Sequence, residues 1–134
     1  MISVSLTKKF PKIHINLIFN ILKPGISAIS GHSGAGKTTI INMIAGLTRP
    51  DSGQVILKEQ VLFDSYLKID LKPEVRDIGY VFQQPRLFPH LNVKRNLLFG
   101  YRRRNPKKKI IGLDDVVDLL CISNLLERKP FELS

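Results

Sequence analysis

The strongest chemical signal in the sequence is a glycine-rich run, GHSGAGKTT, that begins at Gly31. It fits the pattern G-x-x-x-x-G-K-[ST], whose glycines let successive backbone N–H groups converge on phosphate oxygens. Lys37 is placed to reach the β- and γ-phosphates of a nucleotide, and the Thr38 hydroxyl to ligate Mg²⁺. Thr39 follows where it can contact the α-phosphate. The residues expected to contact nucleotide are Gly31, His32, Ser33, Gly34, Ala35, Gly36, Lys37, Thr38 and Thr39.

The segments on either side of this run are those that a phosphate-binding loop needs. Ile26–Ser30 (ISAIS) is a short apolar stretch typical of a buried strand, and IINMIAGL, from Ile40, is apolar enough for a buried helix. Gly46 is placed to end that helix. Because a helix N-terminus carries unpaired amide donors, it favours an anion. Strand, loop and helix together predict an α/β fold with the nucleotide site at the loop.

The rest of the first half has the pattern of antiparallel strands. Apolar and polar residues alternate loosely over residues 2–22, which predicts two or three antiparallel strands. Beyond a turn, Gln54–Leu57 and Val61–Phe63 are predicted to form two short strands. Residues 64–77 are polar and are predicted to connect these strands to the next element.

The second half is predicted to be one more strand followed by helices. Ile78–Phe82 (IGYVF) has the composition of a buried strand. Asn92 is expected to cap a helix that runs through Phe99 and ends at Gly100. Apolar residues between Leu113 and Leu120 share one helical face, and two aspartates suit the positive N-terminal end of that helix.

The composition fits one soluble domain. Of 134 residues, 43% are hydrophobic and 24% charged, and no stretch approaches the roughly 18 consecutive apolar residues of a membrane helix. A single cysteine, Cys121, excludes an internal disulfide framework and favours a reducing cytoplasm. Its Leu-rich surroundings predict that Cys121 packs in the core.

Positive charge is concentrated in one run. The net charge is +10, and YRRRNPKKK, over Tyr101–Lys109, holds six of the 21 basic residues. A solvated surface loop around Asn105 and Pro106 is one interpretation, and a nucleic-acid contact is the other. The run lacks interleaved aromatic residues that would stack on bases, so it is weak support for nucleic-acid binding.

Two longer stretches resemble a known family. IGYVFQQPRLFPHLNVKRNL, in which a strand leads to Gln83 and a Phe-Pro-His segment, resembles the Q-loop of ABC transporter ATP-binding subunits. GHSGAGKTTIINMIAGLTRPDSGQVIL resembles the same family, and LKPEVRDIGYVFQQPRLFPHLNV is most similar to its importer subclass, particularly molybdate-importer ATPases. The resemblance covers nearly the whole chain. It implies that the chain is the N-terminal part of an α/β P-loop NTPase (ABC ATPase) core. The antiparallel β layer would occupy residues 1–25 and a portion of the P-loop core residues 26–83, and the Q-loop with a partial helical subdomain would occupy residues 84–134.

The resemblance also implies roles, a cofactor set and partners. It implies that ATP and Mg²⁺ bind at the loop, and that Gln83 lies by the Mg²⁺ and the attacking water and couples the site to the membrane subunit. Phe10 falls near the family's adenine-stacking aromatic, although a core position is equally open. The implied partners are transmembrane permease subunits, a second ATP-binding subunit in a homodimer and, indirectly, a periplasmic or extracellular solute-binding protein, with no nucleic acid. The implied location is the cytoplasmic side of the membrane, peripherally bound.

Departures from the family limit the predicted chemistry. Phosphoryl transfer to water needs a carboxylate-bearing strand, and no run of four apolar residues ending in Asp-Glu occurs here. The family's switch histidine is not matched either, because His90 belongs to the Phe-Pro-His segment. Leu133–Ser134 resembles the first half of the Leu-Ser-Gly-Gly signature. We therefore expect at best weak nucleotide binding, without hydrolysis. The alternatives are a catalytically dead fragment from a disrupted gene and a P-loop protein that acts on nucleic acid.

Overall fold

A computed structural model describes residues 1–102 and 111–133. The chain divides into two compact units, Met1–Tyr80 and Val81–Ser134. Most of the basic run (103–109) and Ser134 of the predicted signature lie outside the described residues. Within the described ranges, no helix has the length and apolar character needed to cross a membrane.

The first unit is built on a five-stranded antiparallel sheet in the order β2-β1-β3-β4-β5. The strands are β1 (Ile2–Lys9), β2 (His14–Ile21), β3 (Ser52–Leu57), β4 (Gln60–Asp64) and β5 (Ile69–Asp70). The predicted antiparallel layer is therefore confirmed, and it extends to residue 70. Strand β5 has only two residues and lies in the segment predicted to be a connection, because pairing with β4 defines it and no apolar alternation marks it.

The turn before β5 is organised by one carboxylate. Asp64 accepts hydrogen bonds from the amides of Tyr66 and Leu67, both at 2.8 Å, and from the Gln54 side chain at 2.7 Å. These bonds, the Leu67 amide first, lower the pKa of Asp64 despite its burial. The chain consequently reverses after β4 and returns as β5.

One face of the sheet forms the core. In the register, Val4 of β1 lies between Phe19 of β2 and Val55 of β3, so apolar residues of three strands share that face. Helix α1 (Lys37–Ala45) packs on it through Met43, which has no exposed surface. The buried cluster comprises Val4, Leu6, Ile15, Met43, Val55, Leu62 and Phe63. Gly46 ends α1 in a left-handed conformation (φ 82°), as predicted.

Two predicted strands are absent. Ile26–Ser30 and Ile78–Phe82 have no regular secondary structure, and neither belongs to the sheet. The side chains of Ile26 and Val81 are almost fully exposed, at 103% and 96%. A strand requires hydrogen bonding to at least one neighbouring strand, and no described strand pairs with either segment. The apolar composition of both segments is typical of strands, but composition alone supplies no pairing partner.

Among its described residues, the second unit has two helices, α2 (Val93–Tyr101) and α3 (Leu113–Leu119). The Asn92 side chain accepts the Arg95 amide at 2.9 Å, which confirms the predicted cap of α2. The predicted stop at Gly100 is wrong, because the helix continues to Tyr101 and Gly100 keeps a right-handed backbone. Three short 3₁₀ turns complete the first and second units: Pro73–Val75, Ser123–Leu125 and Pro130–Glu132.

The core position predicted for Cys121 is wrong. Its thiol is exposed, and its backbone is left-handed (φ 53°) just beyond α3. Because α3 ends at Leu119, the Leu-rich pattern does not continue as a helix, and Val117 is the buried residue of α3. Leu119 and Leu120 are likewise exposed, at 75% and 59%.

Gly53 provides a test of the sheet. It has φ 116°, and a Cβ placed there would overlap the carbonyl oxygen of Ser5 on β1. We expect Gly53→Ala to lower the free energy of unfolding by about 2 kcal/mol or more, since strain and overlap add. Urea denaturation measures the change. Gly79→Ala is the control, because a Cβ there meets nothing within 4 Å. Equal midpoints for the two variants would contradict the predicted close approach.

Candidate phosphate-binding site

The glycine-rich run forms a loop that leads directly into α1. Gly34 (φ 80°) and Gly36 (φ 91°) are left-handed, and Gly36 is the N-cap residue of the helix. The loop is closed by a hydrogen bond from the Ala35 amide to the His32 carbonyl at 3.3 Å. A Cβ at Gly36 would lie 2.7 Å from Cδ1 of Ile15 on β2. The Ile15 side chain of the sheet therefore packs directly against the loop, and the left-handed backbone at Gly36 favours glycine there.

Lys37 turns back onto the loop that precedes it. Its Nζ donates hydrogen bonds to the carbonyl oxygens of Gly31 and His32, each at 2.8 Å. The ammonium group has three donors, so two are used within the loop and one remains for another acceptor. A phosphate would compete with these carbonyls for the ammonium, and a charged acceptor forms the stronger bond.

The first turn of α1 is left open to an external anion. Its amides at Lys37, Thr38 and Thr39 have no intrahelical acceptor, no side chain caps it, and it holds no acidic residue. Helix α3 differs, because Asp114 and Asp115 occupy its first turn and compensate the same partial positive charge. The two helices show that the chain supplies its own anions at α3 and none at α1.

The residues present fit magnesium delivered with a nucleotide. Across 1–102 and 111–133, no group of three or more His, Cys, Asp or Glu side chains could hold a metal ion. Mg²⁺ commonly keeps several waters and binds through substrate phosphates with few protein ligands. The Thr38 hydroxyl is exposed on the open turn of α1 and is an oxygen ligand of this kind.

Phe10 lies in the tight turn between β1 and β2. Its amide donates to the Ile13 carbonyl at 2.8 Å, and its ring is 41% exposed with the Lys8 ammonium 5.8 Å from the centroid. The core interpretation of Phe10 is therefore wrong, since the ring is open to solvent. Stacking of this ring on adenine stays a prediction.

An ion pair between Asp51 and Lys8, which no local sequence pattern predicts, stabilises this turn. Asp51 accepts hydrogen bonds from the Lys8 side chain at 2.7 Å and from the Lys9 amide at 2.8 Å. These bonds, Lys8 first, lower the pKa of Asp51. No sequence signal links residues 42 or 43 positions apart, so only the fold reveals that Asp51 holds the end of β1 beside Phe10.

Gln83 and His90 belong to the second unit. Both are exposed, and Gln83 lies in a segment without regular secondary structure. The His90 ring meets Phe88 edge-on at a centroid distance of 6.0 Å. The role of Gln83 at Mg²⁺ and water stays a prediction, and no described contact gives His90 a chemical role.

Two further residues contact α1 from the segment after β5. The Arg76 side chain is buried (1% exposed) and donates to the carbonyls of Met43 and Ile44 at 3.1 and 2.8 Å. The Tyr80 hydroxyl donates to the Asn42 side chain at 2.6 Å. Arg76 stands in a polar stretch with no periodic pattern, so the sequence gives no sign of its burial.

Comparison with known proteins identifies similar sequences. The family model described as ABC transporter matches residues 15–134. The chain is 48% identical, over its full length, to the molybdenum import ATP-binding protein ModC of Rhodospirillum rubrum, and covers 36% of that protein. Over 111 residues it is 53% identical to ModC of Paramagnetospirillum magneticum, covering 83% of this chain and 31% of that one. The chain thus spans about a third of the length of the curated relatives it matches.

Solved structures with the same fold include two ATP-binding cassettes. MJ0796, solved as a dimer in a post-hydrolysis state bound to ADP and Pi, superposes with a TM-score of 0.66 at 27% identity. That comparison covers all of this chain and 63% of the other. MJ1267, an ATP-binding cassette of an ABC transporter, gives a TM-score of 0.73 at 25% identity, covering 99% and 58% of the two chains.

Proposed function

The chain belongs to the ABC transporter family, and on that premise we propose that it is the ATP-binding region of an importer subunit for molybdate or a related oxyanion. The observation that carries the proposal is the loop at the open end of α1, where Lys37 is held by the carbonyls of Gly31 and His32. An ammonium group beside unpaired helix amides is a binding arrangement for a nucleotide polyphosphate.

The nucleotide would be held by three kinds of contact. The loop amides and the first turn of α1 donate to phosphate oxygens, and Lys37 exchanges its loop carbonyls for the β- and γ-phosphates. The Thr38 hydroxyl would ligate the Mg²⁺ that accompanies ATP, which balances the phosphate charge. The exposed Phe10 ring would stack on adenine.

The transport role is proposed from the relatives. Proteins described as molybdenum import ATP-binding proteins are 48% and 53% identical to this chain, which supports an oxyanion importer. We propose peripheral attachment at the cytoplasmic side of the membrane, through permease subunits, and pairing with a second ATP-binding subunit. A solute-binding protein outside the cytoplasm would deliver the oxyanion to the permease.

The second unit offers a surface for the permease. Leu87, Phe88 and Phe99 are 44%, 39% and 38% exposed, and the ring centroids of Phe88 and Phe99 are 4.4 Å apart. Exposed apolar side chains grouped in this way are typical of protein interfaces. Gln83 precedes this surface by four residues, so movement of the permease could be transmitted to it.

Lys37→Ala tests the nucleotide site. We expect the Kd for MgATP to rise about 10- to 100-fold, since a charged hydrogen bond contributes about 1.5–3 kcal/mol. Isothermal titration calorimetry on the 134-residue chain measures the affinity. Lys58→Ala removes the same charge from the exposed turn after β3 and should leave the Kd within about twofold, as expected for surface changes. Equal affinities for Lys37→Ala and the parent chain would contradict the proposal.

An ATP hydrolysis assay distinguishes an active ATPase from a chain that only binds nucleotide. Because no apolar strand ending in Asp-Glu occurs in these 134 residues, we propose that they hold ATP without turning it over. Phosphate release from ATP should match a protein-free blank. Steady release that Lys37→Ala abolishes would contradict this expectation and would favour a complete active site.

Phe10→Ala tests adenine stacking. We expect ATP affinity to fall by about 5- to 100-fold, because stacking of one base on an aromatic ring contributes about 1–3 kcal/mol. Phe10→Tyr keeps a ring of similar size and should retain most of the affinity. Inorganic tripolyphosphate is the matched ligand, since it lacks a base and should bind equally to both proteins. If Phe10→Ala weakens ATP and tripolyphosphate alike, the residue acts on the fold of the loop.

A further inference from the structure

We infer that Arg76 is a positioning residue for the nucleotide site, because it anchors the C-terminal end of the helix whose N-terminal end carries Lys37 and Thr38. The inference rests on the proposed function, since it assigns to Arg76 an effect on nucleotide affinity. Arg76 does not touch the loop, and it would act through α1.

The guanidinium group is almost fully used by short contacts. Nε donates to the Leu71 carbonyl at 2.8 Å, and Nη2 donates to the Asp70 carboxylate at 3.0 Å. Nη1 donates to the carbonyls of Met43 at 3.1 Å and Ile44 at 2.8 Å. Four of the five guanidinium N–H groups are therefore paired, with partners on α1, on β5 and just after it.

The C-terminal end of α1 receives its positive charge from elsewhere in the chain. The last carbonyls of a helix lack intrahelical donors and carry partial negative charge, and the last turn of α1 contains no basic residue. Arg76 supplies the charge from 32 residues beyond Ile44. Gly46 permits the approach, because a Cβ there would lie 2.5 Å from Nε of Arg76.

Burial indicates that this contact is specific. Burial lowers the pKa of Arg76, and Asp70 acts in the opposite direction. A buried guanidinium is costly unless its hydrogen bonds are satisfied, and Arg76 is 1% exposed. Apolar packing could fill the same volume, but it would not fix the helix in one direction, because hydrophobic contact is non-directional.

The helix transmits the constraint to the site. Helix α1 has nine residues and is about 13 Å long, so its two ends move together as a rigid rod. Arg76 grips the carbonyls of Met43 and Ile44 near one end, and Lys37 lies at the other. If the hydrogen bonds from Arg76 were lost, a small tilt of α1 would displace the first-turn amides that face the phosphates. A displacement of about 1 Å at such a site can lower affinity substantially.

Arg76→Lys tests the inference, and Arg49→Met is its matched control. Lysine keeps the charge but cannot reach four acceptors in the same fork. Arg49 binds the same Asp70 carboxylate, at 3.4 Å, yet is 79% exposed. We expect Arg76→Lys to raise the Kd for MgATP by about 2- to 30-fold and Arg49→Met to leave it unchanged. Calorimetry is carried out at a temperature where circular dichroism shows each protein to be folded.

An amide spectrum distinguishes positioning from a loss of stability. In ¹H–¹⁵N spectra without nucleotide, Arg76→Lys should shift the signals of Lys37, Thr38 and Thr39, and leave those of Lys58 and Glu59 in place. A purely structural role would lower the midpoint of urea unfolding without moving the three first-turn signals or the Kd, and would overturn the inference. If Arg76→Lys does not fold, Asp70→Asn replaces it, with the same signals expected to shift.

The outcomes separate the two proposals. If the parent chain binds MgATP and Arg76→Lys binds equally, the inference is overturned and the proposed function stands. If the parent chain fails to bind MgATP, the proposed function is overturned and the inference falls with it. A weaker Kd together with shifted first-turn signals in Arg76→Lys alone supports the inference.

Discussion

The packing of α1 on the antiparallel sheet is the contact on which the candidate site depends. Met43 is fully enclosed between the helix and the sheet, and burial of such a side chain stabilises a fold by about 1.5–3 kcal/mol. At the start of the helix, Gly36 packs closely against the Ile15 side chain. The sheet therefore contacts the loop at Gly36 and the helix at Met43, while Arg76 donates hydrogen bonds to carbonyls near the C-terminal end of the helix.

Local patterns predicted the parts of the fold that are stabilised locally. The alternation in residues 2–22 and the apolar run from Ile40 were sufficient for β1, β2 and α1, since each pattern records which face is buried. Ile26–Ser30 and Ile78–Phe82 carry the same kind of information, but a strand also needs a partner. The predicted core position of Cys121 is wrong for a related reason, because it required a helix through residue 121, and α3 ends at Leu119.

In the candidate site, too, local sequence predicts some parts and misses others. The loop could be predicted because its chemistry is performed largely by the backbone, and glycine spacing records backbone conformation directly. The resemblance to a family drew attention to Phe10, and the fold then showed its ring to be exposed. Asp51 and Arg76 escaped prediction because each acts on residues more than 30 positions away. Long-range polar contacts leave no periodic trace in a sequence.

The single cysteine gives the molecule one site for thiol-specific labelling. Cys121 is the only cysteine in the sequence, it is exposed, and it belongs to the second unit, whereas every residue assigned to the loop belongs to the first. A maleimide dye or spin label attached there would report on the second unit without modifying Lys37 or its neighbours. The exposure that contradicted a core position therefore makes the wild-type sequence ready for site-specific spectroscopy, with no cysteine to remove.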